Sequence, residues 1–255
     1  MKDPEISDSS FTFLALGDSY TIGESVQPAE RFPNQTMELL RRDSLSVAAP
    51  KIIAATGWTT SNLITTLNNS DVRTDYDIVT LLIGVNNQYQ HQPIDQYKSE
   101  FAELLQRAIL YAGNKNKHVI VLSIPDYSVT PFASQSDTAR IAEEINAFNS
   151  AGKKIAEAAG VNYLDITPIS RDAKRDPSLI ATDGLHPSAA QYSQWSLLLA
   201  PMIKEISKWF GYLVKSPSGY SNPLFSSRQY IANKNSCCKY LPGTFHSSSV
   251  YICED

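Results

Sequence analysis

Residues 11–20 read FTFLALGDSY, an apolar run that ends abruptly in Gly17, Asp18 and Ser19. Continuous rather than alternating apolarity is typical of a strand that is buried on both faces of a parallel sheet. A glycine at the end of such a run permits a tight turn, and the serine after it projects from the strand end. The stretch therefore predicts a buried first strand with Ser19 where a nucleophile would sit.

Four more apolar runs follow along the chain, separated by segments with helical periodicity. They are Lys51–Ala55, Asp77–Ile83, His118–Ile124 and Val161–Ile166. The clearest helical patterns cover 94–108, with Gly113 as a stop, and 141–155, ending at Gly160. Strands that alternate with helices form parallel sheets through right-handed crossovers. The predicted fold is a three-layer α/β/α sandwich with a five-stranded parallel sheet.

The end of the chain reads differently from the rest. A last helical pattern covers 188–210, where Pro201 should kink the helix or split it in two and Gly211 is a plausible stop. Beyond Val214, Ser, Asn, Tyr and Pro dominate and helical periodicity disappears. The predicted parts are an N-terminal segment 1–10, one folded domain over 11–213 and a loosely ordered C-terminal extension over 214–255.

Polar residues follow several of the runs, at the sheet edge where open parallel sheets bind their ligands. Gly57 follows the second run and can bring a backbone N–H close to a ligand, and Asn86 follows the third with a side-chain amide donor. After the fifth run and a loop, Asp183 precedes His186 by three residues. One short loop can thus supply both a base and the carboxylate that orients its Nδ1–H.

At these positions the sequence resembles the SGNH (GDSL) hydrolase superfamily, whose name refers to Ser, Gly, Asn and His in four separated blocks. The matching residues are Ser19, Gly57, Asn86 and His186, in the family's order. The resemblance covers roughly residues 11–210, and its specificity comes from the conjunction, since any single block is common by chance. Two residues depart from the pattern: Tyr20 replaces the signature leucine, and Asn87 replaces the aspartate that commonly follows the asparagine.

The resemblance implies a flavodoxin-like SGNH fold and a serine esterase. His186 would take the Ser19 proton as the hydroxyl attacks an ester carbonyl to form an acyl-enzyme, while Asp183 orients the imidazole and stabilises its charged form. The N–H groups of Ser19 and Gly57 and the amide of Asn86 would form the oxyanion hole. A small-molecule acyl ester is the expected substrate, without a metal or cofactor. The resemblance does not choose among carboxylesterases, thioesterases, lysophospholipases and carbohydrate deacetylases.

Each block by itself also has an ordinary structural explanation. A serine after a strand is commonly a turn or N-cap residue, an Asp-Gly pair is commonly a turn, and an Asn-Asn pair can satisfy loop backbone. Two other functions stay open: a non-catalytic flavodoxin-like binding module, and acyl transfer to an alcohol by the same site. A standard α/β-hydrolase is disfavoured because the chain has no G-x-S-x-G pentapeptide.

Three aromatic residues are candidates for lining an acyl or leaving-group pocket. Trp58, Tyr89 and Tyr127 lie just beyond predicted strand ends. Aromatic side chains at such places are as often a cover for the core, so the sequence leaves both interpretations open.

Composition narrows the classes of function further. With 42% hydrophobic and 19% charged residues, the chain fits one ordinary α/β domain, and its net charge of −4 gives no electrostatic case for nucleic acid or an anionic membrane. The cysteines, Cys237, Cys238 and Cys253, all lie in the tail and are poorly spaced for a metal. Neither a signal-peptide pattern nor a membrane span is visible, so a cytoplasmic location is expected, while the oligomeric state is left open.

Overall fold

Five parallel strands form the centre of the computed structural model, which describes residues 10–214 and their side chains as far as residue 207. The strands are β1 Phe13–Asp18, β2 Lys51–Ala55, β3 Ile78–Leu82, β4 Val119–Leu122 and β5 Asn162–Leu164. They pair in the order β2-β1-β3-β4-β5, which is the order of flavodoxin-like folds. The N-terminal segment 1–10 and the extension 214–255, except for residues 10 and 214, lie outside the described residues, as do the three cysteines.

Eight α-helices cover the sheet within the described range. They are α1 Ser19–Ile22, α2 Phe32–Arg42, α3 Thr60–Asn68, α4 Val85–Tyr89, α5 Ile94–Tyr111, α6 Thr138–Ala158, α7 Thr167–Asp172 and α8 Ala189–Val214. A right-handed crossover places its helix on one face of the sheet when the chain moves toward one edge, and on the other face when the chain moves toward the other edge. The chain moves one way from β1 to β2 and the other way from β2 to β5, so α2 packs with α8 on one face, and α3, α5 and α6 lie on the other. The predicted three-layer sandwich is confirmed.

The central and edge strands differ in burial. Every residue of β1, β3 and β4 is buried, as their continuous apolarity predicts. The edge strands β2 and β5 are partly exposed, with Lys51 open to solvent at the start of β2. An edge strand has a neighbour on one side only, so burial on both faces holds for the three inner strands and not for all five.

Helix α8 continues through Pro201, which lies inside it, so of the two predicted effects of this proline the split in two is wrong, while the kink stays a prediction. The expected stop at Gly211 is wrong as well, since the helix continues to Val214. A proline removes one backbone hydrogen bond and crowds the carbonyl four residues earlier, here that of Leu197. The side chain of Leu197 is 57% exposed, so this side of the helix faces water that can hydrate the freed carbonyl.

Buried aromatic rings on α8 hold this helix to α2. The indole of Trp195 is fully buried, with ring centroids 6.0 Å from Phe32 and 5.1 Å from Tyr192. The Tyr192 hydroxyl donates a hydrogen bond of 3.0 Å to the backbone oxygen of Tyr20, which follows β1. Packing of α8 therefore also fixes the backbone beside the candidate nucleophile.

Replacing Trp195 with alanine should lower the free energy of unfolding by about 3–5 kcal/mol, because a fully buried indole leaves a cavity that helices cannot close. Urea denaturation followed by circular dichroism measures this change. The control is Leu197→Ala on the same helix, which removes an exposed side chain and should change stability by no more than about 0.5 kcal/mol. Equal effects of the two substitutions would contradict the described packing of α8.

Candidate active site

A cavity of about 140 Å³ opens at the carboxyl ends of the central strands. Strand order reverses there, since the chain leaves β1 toward one edge of the sheet and leaves β3 toward the other, and such a reversal opens a crevice. The cavity is lined by Ser19, Tyr20, Thr56, Gly57, Val85, Asn86, Tyr89, Tyr127, Phe132, Leu185 and His186. The structure thus brings together Ser19, Gly57, Asn86 and His186 from four separate segments of the chain.

Ser19 is the first residue of the short helix α1 and is only 3% exposed. The carboxyl of Asp18 caps this helix, because its Oδ1 accepts the backbone N–H of Tyr20 at 3.0 Å. Gly23 ends the helix with a φ of +69°, a conformation that favours glycine. The local sequence therefore presents Ser19 at the strand-to-helix junction, with its side chain toward the cavity.

Gly17 has a different role from the tight turn that the sequence suggests, since it lies within β1 and pairs with both neighbouring strands. A Cβ atom at this position would lie 2.1 Å from Thr21 Oγ1 and 2.4 Å from the backbone oxygen of Leu82. The glycine is required because α1 folds back closely on the end of β1. Close packing, rather than a turn, explains the first residue of the Gly-Asp-Ser sequence.

Asp18 is fully buried directly before the candidate nucleophile, and burial raises the pKa of its carboxyl to about 8. Its Oδ2 atom has no hydrogen-bond partner among the described residues. At neutral pH the protonated form therefore predominates. A neutral group behind Ser19 avoids a negative charge next to a reaction in which negative charge develops.

His186 and Asp183 form a close pair in the loop before α8. The Nδ1 atom of His186 lies 2.6 Å from Asp183 Oδ2, and the other carboxylate oxygen accepts the backbone N–H groups of Leu185 and His186, each at 2.9 Å. An ionised carboxylate can only accept, so Nδ1 carries the proton and Nε2 is left as an acceptor. The ring of Tyr20 lies against the imidazole with 5.1 Å between centroids, which restricts its orientation.

Partial burial by itself would raise the pKa of the Asp183 carboxyl. Hydrogen bonds from the hydroxyl of Ser25, from the imidazole of His186 and from two backbone N–H groups outweigh this effect and hold the pKa well below its usual range. Asp183 is therefore ionised throughout the neutral range. Ser25 was not evident from the sequence, because it lies in the turn after α1, far along the chain from Asp183.

Gly57 and Asn86 line the cavity from the loops after β2 and β3. Gly57 has a φ of +77°, and a Cβ atom there would meet nothing within 4 Å, so the glycine is required by backbone conformation alone. The Asn86 amide donates one N–H to the backbone oxygen of Trp58 at 2.9 Å. An amide nitrogen carries two N–H groups, so the second can donate to a ligand.

Asn87, where the resembled family commonly has aspartate, joins the loops that carry Gly57 and Asn86. Its buried Oδ1 accepts the backbone N–H of Thr60 at 3.0 Å, and its Nδ2 donates to Thr60 Oγ1 at 2.6 Å and to Gln92 Oε1 at 2.8 Å. The Thr60 hydroxyl gives its single proton to Glu100. An aspartate at 87 would set a second acceptor against the Thr60 oxygen, so the amide suits this arrangement.

Three aromatic rings form one side of the cavity mouth. Tyr89 and Tyr127 line the cavity, whereas Trp58 does not and packs partly buried against the core. Phe132, in the loop after β4, completes the group with ring centroids 5.9 Å from Tyr89 and 6.3 Å from Tyr127. No feature of the sequence separates Phe132 from other loop aromatics, because only the folded loop brings it to the cavity.

Among the residues that the structure describes, no group of three or more His, Cys, Asp or Glu residues is arranged to hold a metal ion. None of the helices in the described range is long and apolar enough to cross a membrane.

The chain is similar to known proteins in its sequence and in its fold. The profile of the GDSL-like lipase/acylhydrolase family matches residues 15–194, while no curated protein sequence matches the chain. The acetylxylan esterase Axe2 from Geobacillus stearothermophilus has a similar fold, with a TM-score of 0.56 and 19% identity over 78% of this chain and 94% of that one. The lipase Lip_vut3 from a goat rumen metagenome gives a TM-score of 0.62 and 20% identity over 76% and 97% of the two chains. At these identities the structural likeness concerns the fold alone.

Changing Asp18 to asparagine should remove a pH dependence of stability. The unfolded carboxyl loses its proton near pH 4, whereas the folded one keeps it until about pH 8, so wild-type stability falls as pH rises between these values. The decline from this group is at most about 1.4 kcal/mol per pH unit. Urea unfolding at pH 5, 6, 7 and 8 measures it, with Asp71→Asn at an exposed position as the control. Parallel stability curves for wild type and Asp18→Asn would show that Asp18 is ionised in the folded protein.

Proposed function

The chain belongs to the GDSL-like lipase/acylhydrolase family and is an ester-hydrolysing enzyme, and we propose that it acts through a Ser19, His186 and Asp183 triad by way of an acyl-enzyme. The single observation that carries this proposal is the 2.6 Å contact between His186 Nδ1 and Asp183 Oδ2, in a loop whose imidazole borders the same cavity as Ser19. This contact directs Nε2, the basic nitrogen, away from Asp183. An imidazole in that state is the group that a serine nucleophile requires.

In the first half of the reaction, the Ser19 hydroxyl attacks the ester carbonyl carbon while His186 Nε2 takes its proton. The C–O bond to the alcohol then breaks, and His186 returns the proton to the departing oxygen, which leaves an acyl ester on Ser19. In the second half, water attacks this ester and gives a proton to His186. The bond from the acyl carbon to the Ser19 oxygen then breaks, His186 returns the proton to that oxygen, and the carboxylic acid is released. Asp183 stays ionised throughout and stabilises the imidazolium that forms twice in each cycle.

Negative charge on the carbonyl oxygen develops in both halves of the reaction. We assign its stabilisation to the N–H groups of Ser19 and Gly57 and to the Asn86 amide, because all three residues border the cavity. The contact of the Asn86 amide with the Trp58 carbonyl holds it in one orientation before substrate arrives. Donors fixed in advance stabilise an oxyanion more than donors that must rotate toward it.

The substrate that the cavity suits best is a short acyl ester. A volume of about 140 Å³ is close to that of cavities that hold a benzene-sized group, so it admits an acyl chain of a few carbons, and the side chains around it include the apolar Val85, Phe132 and Leu185. Axe2, whose fold this chain shares, is named an acetylxylan esterase, and an acetyl group is the smallest common acyl group. The family assignment favours hydrolysis over a non-catalytic flavodoxin-like binding module.

Substitutions should separate proton transfer from charge stabilisation. Ser19→Ala and His186→Ala should each remove nearly all of kcat on an aryl acetate, and the double variant should lose little more, because the two residues act as one unit. Asn86→Ala should retain a measurable rate, reduced about 10²- to 10³-fold, which is the typical effect of losing one oxyanion donor. Steady-state kinetics of the purified variants measure these effects.

The matched controls for this series are Ser70→Ala and His91→Ala, which alter exposed residues outside the cavity and should leave kcat unchanged. Wild-type turnover by the Ser19→Ala protein would refute the proposed nucleophile. Additive losses in the double variant would instead mean that Ser19 and His186 do not act together.

The size of the cavity also predicts a preference for short acyl groups. With p-nitrophenyl esters, kcat/KM should be highest from acetate to butyrate and should fall about 10-fold or more by octanoate, because each methylene without room has a cost of its own. Phe132→Ala should make the decrease in kcat/KM with chain length smaller, because removal of this half-exposed ring leaves more room for longer acyl chains. Leu110→Ala, an exposed change outside the cavity, is the control. A flat profile from acetate to octanoate would contradict the proposed acyl pocket.

A further inference from the structure

We propose that Ser25 is a positioning residue of the catalytic site, whose hydroxyl holds the Asp183 carboxylate and thereby sets how strongly His186 binds a proton. The inference rests on the proposed triad and adds to it a fourth side chain, which lies in the turn that follows the nucleophile helix α1. It makes no contact with substrate in this role. Its effect reaches the reaction through Asp183 and His186.

The first observation is the way in which the Asp183 carboxylate is surrounded. Ser25 Oγ donates to Asp183 Oδ2 at 2.7 Å, and the same oxygen receives His186 Nδ1 at 2.6 Å. The other oxygen, Oδ1, accepts the backbone N–H groups of Leu185 and His186. Four donors thus fix both the position and the plane of the carboxylate. Ser25 is the only one of the four that comes from outside the loop 183–186.

The second observation is the backbone of Ser25, which has a φ of +63°. This left-handed conformation costs a residue with a Cβ atom about 1 kcal/mol or more, whereas glycine adopts it freely. The residue nevertheless has a side chain, and what serine offers over glycine here is the hydroxyl that reaches Asp183. An unfavourable backbone conformation beside a catalytic group points to a functional constraint.

The third observation is the anchoring of the turn that carries Ser25. The neighbouring residue Glu24 donates its backbone N–H to the backbone oxygen of Ser19 at 3.0 Å, so the turn is tied directly to the nucleophile. The Glu24 carboxylate accepts the hydroxyl of Thr56, which precedes Gly57. The turn therefore connects the segments that carry the nucleophile, one proposed oxyanion donor and the acid of the triad.

These contacts have an electrostatic consequence. The positive end of the Ser25 hydroxyl dipole lies at Asp183 Oδ2, the atom that also faces the imidazole. It lowers the affinity of the carboxylate for a proton and weakens its attraction for an imidazolium. Without this hydroxyl, Asp183 would stabilise the protonated imidazole more strongly. His186 would then hold a proton to higher pH, where it could not act as a base.

The test measures the pH dependence of kcat/KM for wild type, Ser25→Gly and Ser25→Ala on p-nitrophenyl acetate. Both variants should lose several-fold to about 10-fold in kcat/KM, because Asp183 loses one of the four donors that fix it and this hydrogen bond lies at an exposed position. In both, the acidic limb of the profile should move to higher pH, by on the order of half a pH unit. Ser25→Gly should unfold at a higher temperature than Ser25→Ala, because both variants lose the hydrogen bond to Asp183 and only glycine also relieves the backbone strain.

The substitutions replace none of the other ionisable groups around the site, and Asp183 is the one group whose hydrogen bonds they change. Tyr20 on α1 lies against the imidazole, and Tyr20 in turn is influenced by Asp18 at the end of β1, by Asp126 and Tyr127 after β4, and by Asp183. The matched control is Ser44→Gly, because Ser44 has a φ of +67° in a turn that does not border the cavity. This control should keep the wild-type rate and the wild-type pH profile.

The outcomes separate the two proposals. If wild type and Ser44→Gly have no Ser19-dependent esterase activity, the proposed function fails. If both are active and the Ser25 variants match them, Ser25 has no positioning role. A lower rate with an unmoved or lowered acidic limb in the Ser25 variants would also overturn the inference, because it would show that the residue only supports the loop.

Discussion

The reversal of strand order between β1 and β3 is the constraint on which the site depends. Parallel strands place their carboxyl ends at one edge of the sheet, and the chain leaves the two central strands in opposite directions. The loops after β1, β2 and β3 therefore converge on one crevice, which receives Ser19, Gly57 and Asn86. The segment between β5 and α8 brings His186 to the same cavity.

Two aspartates near the nucleophile have opposite electrostatic roles because their surroundings differ. Asp18 is fully buried, and burial raises its pKa to about 8. Asp183 is partly exposed and accepts hydrogen bonds from Ser25, from His186 and from two backbone N–H groups, which keep it ionised. Pairs of acidic groups driven apart in this way are a common device in catalytic sites. In this site the negative charge of Asp183 lies beside the base His186, whereas the carboxyl of Asp18 next to the nucleophile Ser19 is neutral.

The sequence was sufficient for the features that depend on local pattern. Runs of apolar residues predict the five strands, and a resemblance in four short blocks places Ser19, Gly57, Asn86 and His186 in one site. Features that depend on close approach between distant segments could not be predicted. The packing requirement at Gly17, the ring of Phe132 and the hydrogen bond of Ser25 each arise from a partner that lies elsewhere in the chain. The sequence left open whether Pro201 kinks α8 or splits it, because it does not show whether water can reach the carbonyl that the proline leaves without a donor.

The most direct test of the proposed mechanism is labelling with an aryl phosphonate, whose phosphorus bonds to an activated serine oxygen with loss of the aryl alcohol. Mass spectrometry of the digested protein then shows which serine carries the adduct. The account predicts one adduct per chain, on the peptide that contains Ser19, with labelling abolished by prior unfolding and greatly slowed in the His186→Ala protein. An active protein whose Ser19 peptide stays unmodified, or one labelled equally fast without His186, would contradict it.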